Sequence, residues 1–203
     1  MCTMIDVKDL YQWCSIPADG LPGHAGLRTP FRMVADSAAM GELMASDFVE
    51  EIERANTEER MIRAIVPCGP KSWYQPFVRL VNERKVNLAR LFVFHMDECL
   101  DWQGRLLAGN DPYNFRTFME RHFYSGINPD LEVPRSQRFF LDPANMARIQ
   151  EEIWRAPVDI TLGGWGQDGH IAYNQARRHP SVTLRSISSG AVRSGFRRTA
   201  WIQ

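Results

Sequence analysis

Two rhythms of apolar residues alternate along the chain. Short apolar runs stop at turn-forming residues, and longer segments between them repeat apolar positions at three- and four-residue spacing. The runs at 31–35, 61–66, 88–94, 139–141 and 158–162 predict strands. Met40, Leu43, Met44, Phe48 and Ile52 share one helical face behind Asp36 and Ser37, a capping pair, which predicts a helix ending near Asn56. Further helices are predicted over 7–13, over 73–81 despite Pro76, over 112–123 with Pro112 at its start, and over 143–154. Strands alternating with helices predict an α/β domain with a mainly parallel sheet and helices on both faces. Ligands of such open sheets bind outside the carboxyl ends of the strands. Three polar or glycine-rich segments fall there, at 67–72, 95–98 and 163–174.

The last of these, GGWGQDGHIAYN, follows an apolar run that suits a strand buried on both faces. Its glycines allow a sharp turn close to a ligand, and Asp168 stands two residues before His170, an acceptor beside an imidazole. A lone histidine is more often structural. A flanking acid, glycines and a buried strand behind it shift the weight of His170 towards proton transfer. Residues 164–169 also spell G-x-G-x-x-G. A dinucleotide site needs an acid about 20 residues further on, and no Asp or Glu follows Asp168, which argues against nicotinamide binding.

Asp97 stands three residues beyond Phe94, where the third apolar run reaches solvent, so its carboxylate can face a substrate from a low-dielectric base. Asp97 and Glu98 could form a general base and its neighbour; a solvated acidic loop is the plainer alternative. The segment Pro67-Cys68-Gly69-Pro70-Lys71-Ser72 lies between strand and helix, where backbone N–H groups and Lys71 could hold a phosphate. It is not a P-loop, and an ordinary strand-to-helix turn explains its glycine and prolines equally well. Cys68 has no visible activating partner and reads as a small buried residue. Trp73, Tyr74, Phe77 and Trp154 read as core, and Trp165 as a wall of the site. His95, Asp97 and His170 are metal-ligand types, but no spacing demands a metal.

Composition narrows the partners. Lys plus Arg equals Asp plus Glu, 24 each, so no global basic field points to nucleic acid or an acidic membrane surface. No apolar run is long enough to cross a bilayer. Four scattered cysteines without C-x-x-C, and a start lacking a signal-peptide pattern, predict a reduced, cytoplasmic protein. Residues 1–30 are expected to be an appendage. Residues 175–203 hold six Arg, five Ser, no acid and no clear strand, a basic tail that breaks the α/β rhythm. Its arginines are not interleaved with a stacking platform for nucleic acid. A continuation lost or replaced, for example by a shifted reading frame, is the favoured account.

The order Met96-Asp97-Glu98, then Gly166-Gln167-Asp168-Gly169-His170-Ile171-Ala172-Tyr173-Asn174, resembles the glucosamine-6-phosphate deaminase family over about residues 31–174. The related 6-phosphogluconolactonases share a similar G-x-D-G-H loop. The resemblance implies a Rossmann-like three-layer domain over 31–174 that converts glucosamine 6-phosphate and water to fructose 6-phosphate and ammonia, without redox cofactor or metal. It implies Asp97 as the base moving a proton between C2 and C1, His170 as the aid to ring opening, and Asp168 as its orienting acid. It also places Cys68, Gly69, Lys71 and Ser72 at the phosphate and Gly163, Gly164 and Gly166 along the sugar. A homo-oligomer is plausible through the resemblance alone. The chain departs from the family at Gln175, where a glutamate is usual, in its P-C-G-P-K-S loop, and in its tail. Two alternatives follow: a lactone hydrolase in which His170 activates water, and a non-catalytic sugar-phosphate binder or inactive remnant.

Overall fold

Asp36 turns the chain into its longest helix. Its carboxylate accepts from the Ala39 N–H at 2.8 Å and so caps the amino end of a helix over Ser37–Thr57. The structure is a computed structural model that describes residues 6–164, Ala172 and the backbone of residues 201–202. The chain divides into two units, Met1–Ala35 and Asp36–Gln203. In the first, α1 (Val7–Cys14) is capped by Asp6 and buries none of its residues.

The second unit begins with α2 (Ser37–Thr57) and continues through β1 (Ile62–Val66), α3 (Tyr74–Arg84), β2 (Leu91–His95), α4 (Phe115–His122), β3 (Arg138–Phe139), α5 (Met146–Trp154), β4 (Ile160–Gly163) and the two-residue β5 (Trp201–Ile202). The pairings between these strands are parallel, in the order β3-β2-β1-β4-β5. This is the α/β, Rossmann-like arrangement expected from the alternation of elements.

Strand parity explains the helices on both faces. The register Ile62↔Leu91, Ala64↔Val93 puts these four side chains on one face, where they join Phe48, Ile52, Phe77 and Val81 of α2 and α3 in the main core. The intervening positions Ile65, Phe92 and Phe94 face the other way and pack with Phe139 and with Ile149 and Ile153 of α5. Arg63 lies on this second face and is buried. Its guanidinium sits 5.0 Å from the Phe94 ring centroid, and Nη1 pairs with Glu152 Oε1 at 3.3 Å.

Several expected boundaries move for local reasons. Residues 31–35 form no strand; Phe31 and Met33 are exposed and the segment has no ladder partner among the described residues. Pro112 and Pro143 do not open helices. Asn114 Oδ1 accepts from Thr117 N at 2.8 Å and starts α4 after itself, and α5 starts after Asn145. The strand expected from 88 begins at Leu91, because Asn87 Oδ1 holds the Ala89 N–H in a turn. Pro76 is the third residue of α3, within the first turn, where a helix loses no internal hydrogen bond. Trp154, expected in the core, is 49% exposed. The tail, expected to lack a strand, contributes β5 beside β4.

Candidate active site

Parallel strands put the ends of β1 and β2 side by side, and the register runs to Val66↔His95. Beyond it, the Met96 N–H donates to Val66 O at 2.9 Å, which carries the pairing one step past the strands. The next residues therefore face each other: the Cys68 N–H donates to Asp97 Oδ1 at 3.4 Å. Asp97 is half-buried, and its carboxyl is held above the usual range, chiefly by burial and further by Glu98, while the Cys68 N–H opposes the shift.

Glu98, adjacent in sequence, has a different task. Its Oε1 accepts from Cys99 N at 3.0 Å and Phe115 N at 2.7 Å, and its Oε2 from Arg116 N at 2.9 Å. With Asn114 on Thr117, it satisfies the opening N–H groups of α4. Glu98 anchors the loop to α4, which leaves Asp97 as the carboxylate available to a ligand. Sequence reasoning treated the two as a pair, because a cap supplied from 17 residues away leaves no local signature.

His95 is not available. Its Nε2 lies 3.2 Å from Tyr124 Oη and its Nδ1 3.1 Å from Phe139 O, and its ring stacks on Phe140. The tautomer that satisfies both partners carries the proton on Nδ1. Burial pushes its pKa down to about 3, so the ring is neutral. A metal ligand needs a free nitrogen lone pair, which removes His95 from the ligand set considered with Asp97 and His170. Among the described residues no cluster of three His, Cys, Asp or Glu could hold a metal ion.

The loop after β1 is fixed from below. The buried Tyr74 hydroxyl donates to Pro67 O at 3.2 Å, a contact that sequence reasoning missed by treating Tyr74 as core alone. The Cys68 thiol is half-buried rather than buried, and its pKa is pushed up to about 12 by burial and by Asp97 and Glu98. It stays protonated, so it is no nucleophile. Lys71 is exposed with Nζ 4.9 Å from the Phe118 ring centroid of α4. Ser72 presses against α2, where a Cβ on Gly41 would fall on the Ser72 carbonyl, and its Oγ is buried without a partner among the described residues.

From the third strand, β4 ends at Gly163, and a Cβ on Gly164 would come within 3.1 Å of Pro70 Cδ and 3.6 Å of Gly69 O. Three strand ends thus converge, with Cys68, Gly69, Asp97 and Gly164 at their meeting point. Gly166, Asp168 and His170, as well as Trp165, lie outside the described residues. An open cleft of about 710 Å³ lies at the opposite, amino end of the sheet, beside Met61 and Arg90. Its Arg84 pairs with Glu53 at 3.3 Å and its Arg90 donates to Glu59 O at 2.9 Å. These arginines are taken up in an ion pair between α2 and α3 and in the turn after α2, so the cleft is not a competitor for the candidate site.

No family model matches the chain. Its similarity to individual proteins is consistent. It is 29% identical over 161 residues to the glucosamine-6-phosphate deaminase of Tolumonas auensis, covering 74% of this chain and 56% of that protein. To the deaminase of Proteus mirabilis it is 29% identical over 153 residues, covering 72% and 54%. The chain thus spans about half the length of the curated relatives it matches. Among solved structures, a monomeric glucosamine-6-phosphate deaminase superposes with a TM-score of 0.59 at 18% identity, over 75% of this chain and 60% of that one. The 6-phosphogluconolactonase of Thermotoga maritima gives a TM-score of 0.52 at 21% identity, over 70% and 62%. The structural likenesses carry the fold. In sequence, the chain is similar to glucosamine-6-phosphate deaminases at 29% identity.

Proposed function

We propose that this chain carries the base-bearing half of a sugar-phosphate site, and that the reaction is isomerisation and deamination of an amino-sugar phosphate: glucosamine 6-phosphate and water to fructose 6-phosphate and ammonia. One observation carries the proposal. Among the described residues, Asp97, unlike Glu98, accepts one long hydrogen bond, at the meeting point of three strand ends. A carboxylate whose affinity for protons is raised by burial is a better base near neutral pH than an exposed one. In this mechanism Asp97 takes the proton from C2 of the open-chain sugar and returns it to C1. His170 assists ring opening, and Asp168 orients it.

The phosphate is assigned to the loop after β1, with Lys71 supplying charge and Cys68, Gly69 and Ser72 supplying the turn. Gly163, Gly164 and Gly166 line the sugar, where a Cβ on Gly164 would crowd Pro70 at 3.1 Å. None of these steps calls for a metal or redox cofactor. No described helix is long and apolar enough to cross a membrane, and a cytoplasmic, self-associating enzyme belongs to the same proposal.

The test is release of ammonia and fructose 6-phosphate from glucosamine 6-phosphate by the purified 203-residue chain, with His170→Ala as control. Turnover lost in the control is the expected result. Faster hydrolysis of 6-phosphogluconolactone than deamination would replace the reaction with the lactonase alternative. A rise in melting temperature with sugar phosphates but no turnover would leave a binder.

A further inference from the structure

We infer that Tyr74 is a positioning residue for Asp97, acting through the single peptide unit that joins Pro67 to Cys68. The inference rests on the proposed role of Asp97 as the base, but its geometry stands by itself. The carbonyl of this peptide accepts from the Tyr74 hydroxyl at 3.2 Å, and its N–H donates to Asp97 Oδ1 at 3.4 Å. The two hydrogen bonds leave opposite edges of one planar group, so the phenol holds the plane in the orientation that presents the N–H to the carboxylate.

The environment makes this link directional. Tyr74 is 2% exposed, wedged edge-on against Trp73 and Phe123 at centroid distances of 5.0 and 5.6 Å, so its hydroxyl has little freedom to leave Pro67. Burial, Cys68 and Asp97 all raise its pKa, which keeps the phenol protonated and therefore a donor. A carbonyl that accepts a hydrogen bond polarises its amide, and the amide's N–H becomes a stronger donor in turn. Among the described residues, the ionisable groups around this peptide are Cys68 and Lys71 from the loop after β1, Tyr74 from α3, Tyr124 from the turn after α4, and Glu98 and Cys99 from the loop of Asp97 itself. Of these, Glu98 raises the Asp97 pKa by its charge, and the Cys68 N–H lowers it. The phenol strengthens the lowering contribution, and so opposes the push of burial towards protonation.

The test is the titration of the Asp97 carboxyl followed by carbon-13 NMR in the full chain, with Asp97→Asn to assign the signal. Tyr74→Phe removes one oxygen and keeps the ring packing. Its expected effect is an Asp97 midpoint raised by roughly 0.3–0.5 pH unit, a two- to threefold greater affinity for the proton. The same shift should persist on a Cys68→Ala background, since that change leaves the peptide in place. Fluorination of the Tyr74 ring makes the phenol a stronger donor at almost unchanged size, and should move the midpoint the other way. A midpoint unmoved by Tyr74→Phe or by fluorination overturns the inference, as does a shift that vanishes with the Cys68 thiol. A merely structural role would lower the melting temperature and leave the midpoint alone. Because the titration needs no substrate, its outcome is separate from whether Asp97→Asn abolishes turnover.

Discussion

His95 and Asp97 are two residues apart at the end of one strand, and they show what each flank of that strand is built to do. On the β3 side, His95 is enclosed: both nitrogens are engaged, by Tyr124 and Phe139, and its ring is covered by Phe140. Behind Tyr124, the buried Arg138 guanidinium lies 4.2 Å from the phenol ring and donates to Val133 O at 2.9 Å through Nε. On the β1 side, Asp97 keeps one long bond among the described residues and a pKa displaced towards protonation. The same burial acts on both groups, and each resists its charge. The difference is that the histidine's neutral form is fully satisfied, whereas the carboxylate, among the described residues, accepts that one long bond. A satisfied polar network specifies a fold; an unsatisfied group at a rim is what a substrate can complete.

Asp97→Asn breaks this comparison most severely. Loss of the base should lower turnover by on the order of 10²–10⁴-fold, with proton exchange at the sugar C2 abolished and ligand binding retained, because the amide oxygen still accepts from Cys68. Stability should move in the opposite direction. With its folded pKa above the 3.8 of a free carboxyl, Asp97 holds its proton in the folded state to higher pH than in the unfolded state. Its contribution therefore declines as pH rises from about 4 through the folded pKa, and stays lost above it. Asn carries no charge to desolvate, so the variant should melt higher than the parent at neutral pH, and a lower melting temperature would contradict the assignment of burial as the cause.

His95→Phe tests the other flank. It leaves the Tyr124 hydroxyl and the Phe139 carbonyl without their partner, at a cost of about 1–3 kcal/mol for each, visible in urea unfolding. The parent protein carries a pH signature that the variant lacks. The pKa of His95 falls from 6.5 to about 3 on folding, so the unfolded chain binds the extra proton between those values. Stability from this residue is complete above pH 6.5 and is lost as pH falls towards 3, with a slope of at most about 1.4 kcal/mol per pH unit. Subtracting the variant's pH profile from the parent's removes the carboxylates common to both. A flat difference would mean that His95 is not kept neutral by the fold.

Much of this was legible in the sequence where the signal is local. An apolar run followed by Met96-Asp97-Glu98 marked the end of β2, and Asp36-Ser37 marked the start of α2 within a residue. Proline misled at 112 and 143: Asn114 caps α4 two residues on, and Asn145 turns its side chain back to Asp142 and Phe140 so that α5 opens after it. Composition misled at Trp154: its size suggested burial, but it is the last residue of α5, at the edge of the small second core. Nothing local could separate Asp97 from Glu98, since their roles are decided by the backbone of residues 115 and 116 and by the amide of Cys68 across the sheet. Tyr74 was hidden for the same reason. Its ring fits a core helix face, and only the position of Pro67 shows that its hydroxyl has a task.

Glu98→Ala sharpens the distinction between the two carboxylates. Removing three accepted N–H bonds, two at the start of α4 and one from Cys99, should destabilise the protein by about 1–3 kcal/mol. The urea midpoint should fall with the denaturant slope unchanged. Any loss of turnover should be smaller than for Asp97→Asn and should recover as temperature is lowered, since the defect is in holding the loop rather than in the proton transfer. A turnover loss equal to that of Asp97→Asn, in a variant as stable as the parent, would show that the pair acts as a unit after all.

The smallest effect should come from Lys71→Met. The ammonium is exposed and lies 4.9 Å from the Phe118 ring centroid, an arrangement worth about 0.5–1 kcal/mol at a surface site. The thioether chain of methionine can cover the same ring face, so stability should change by less than that amount. Phosphate attraction cannot be replaced in this way. Affinity for a sugar phosphate should fall by roughly three- to tenfold at low ionic strength, and the gap between parent and variant should narrow with added salt as screening weakens the lysine's field. Unphosphorylated glucosamine should bind both proteins alike. If the variant lost affinity for both sugars equally, Lys71 would be shaping the loop rather than meeting the phosphate. The charge on the β1 side would then have to come from residues beyond those at positions 67–72.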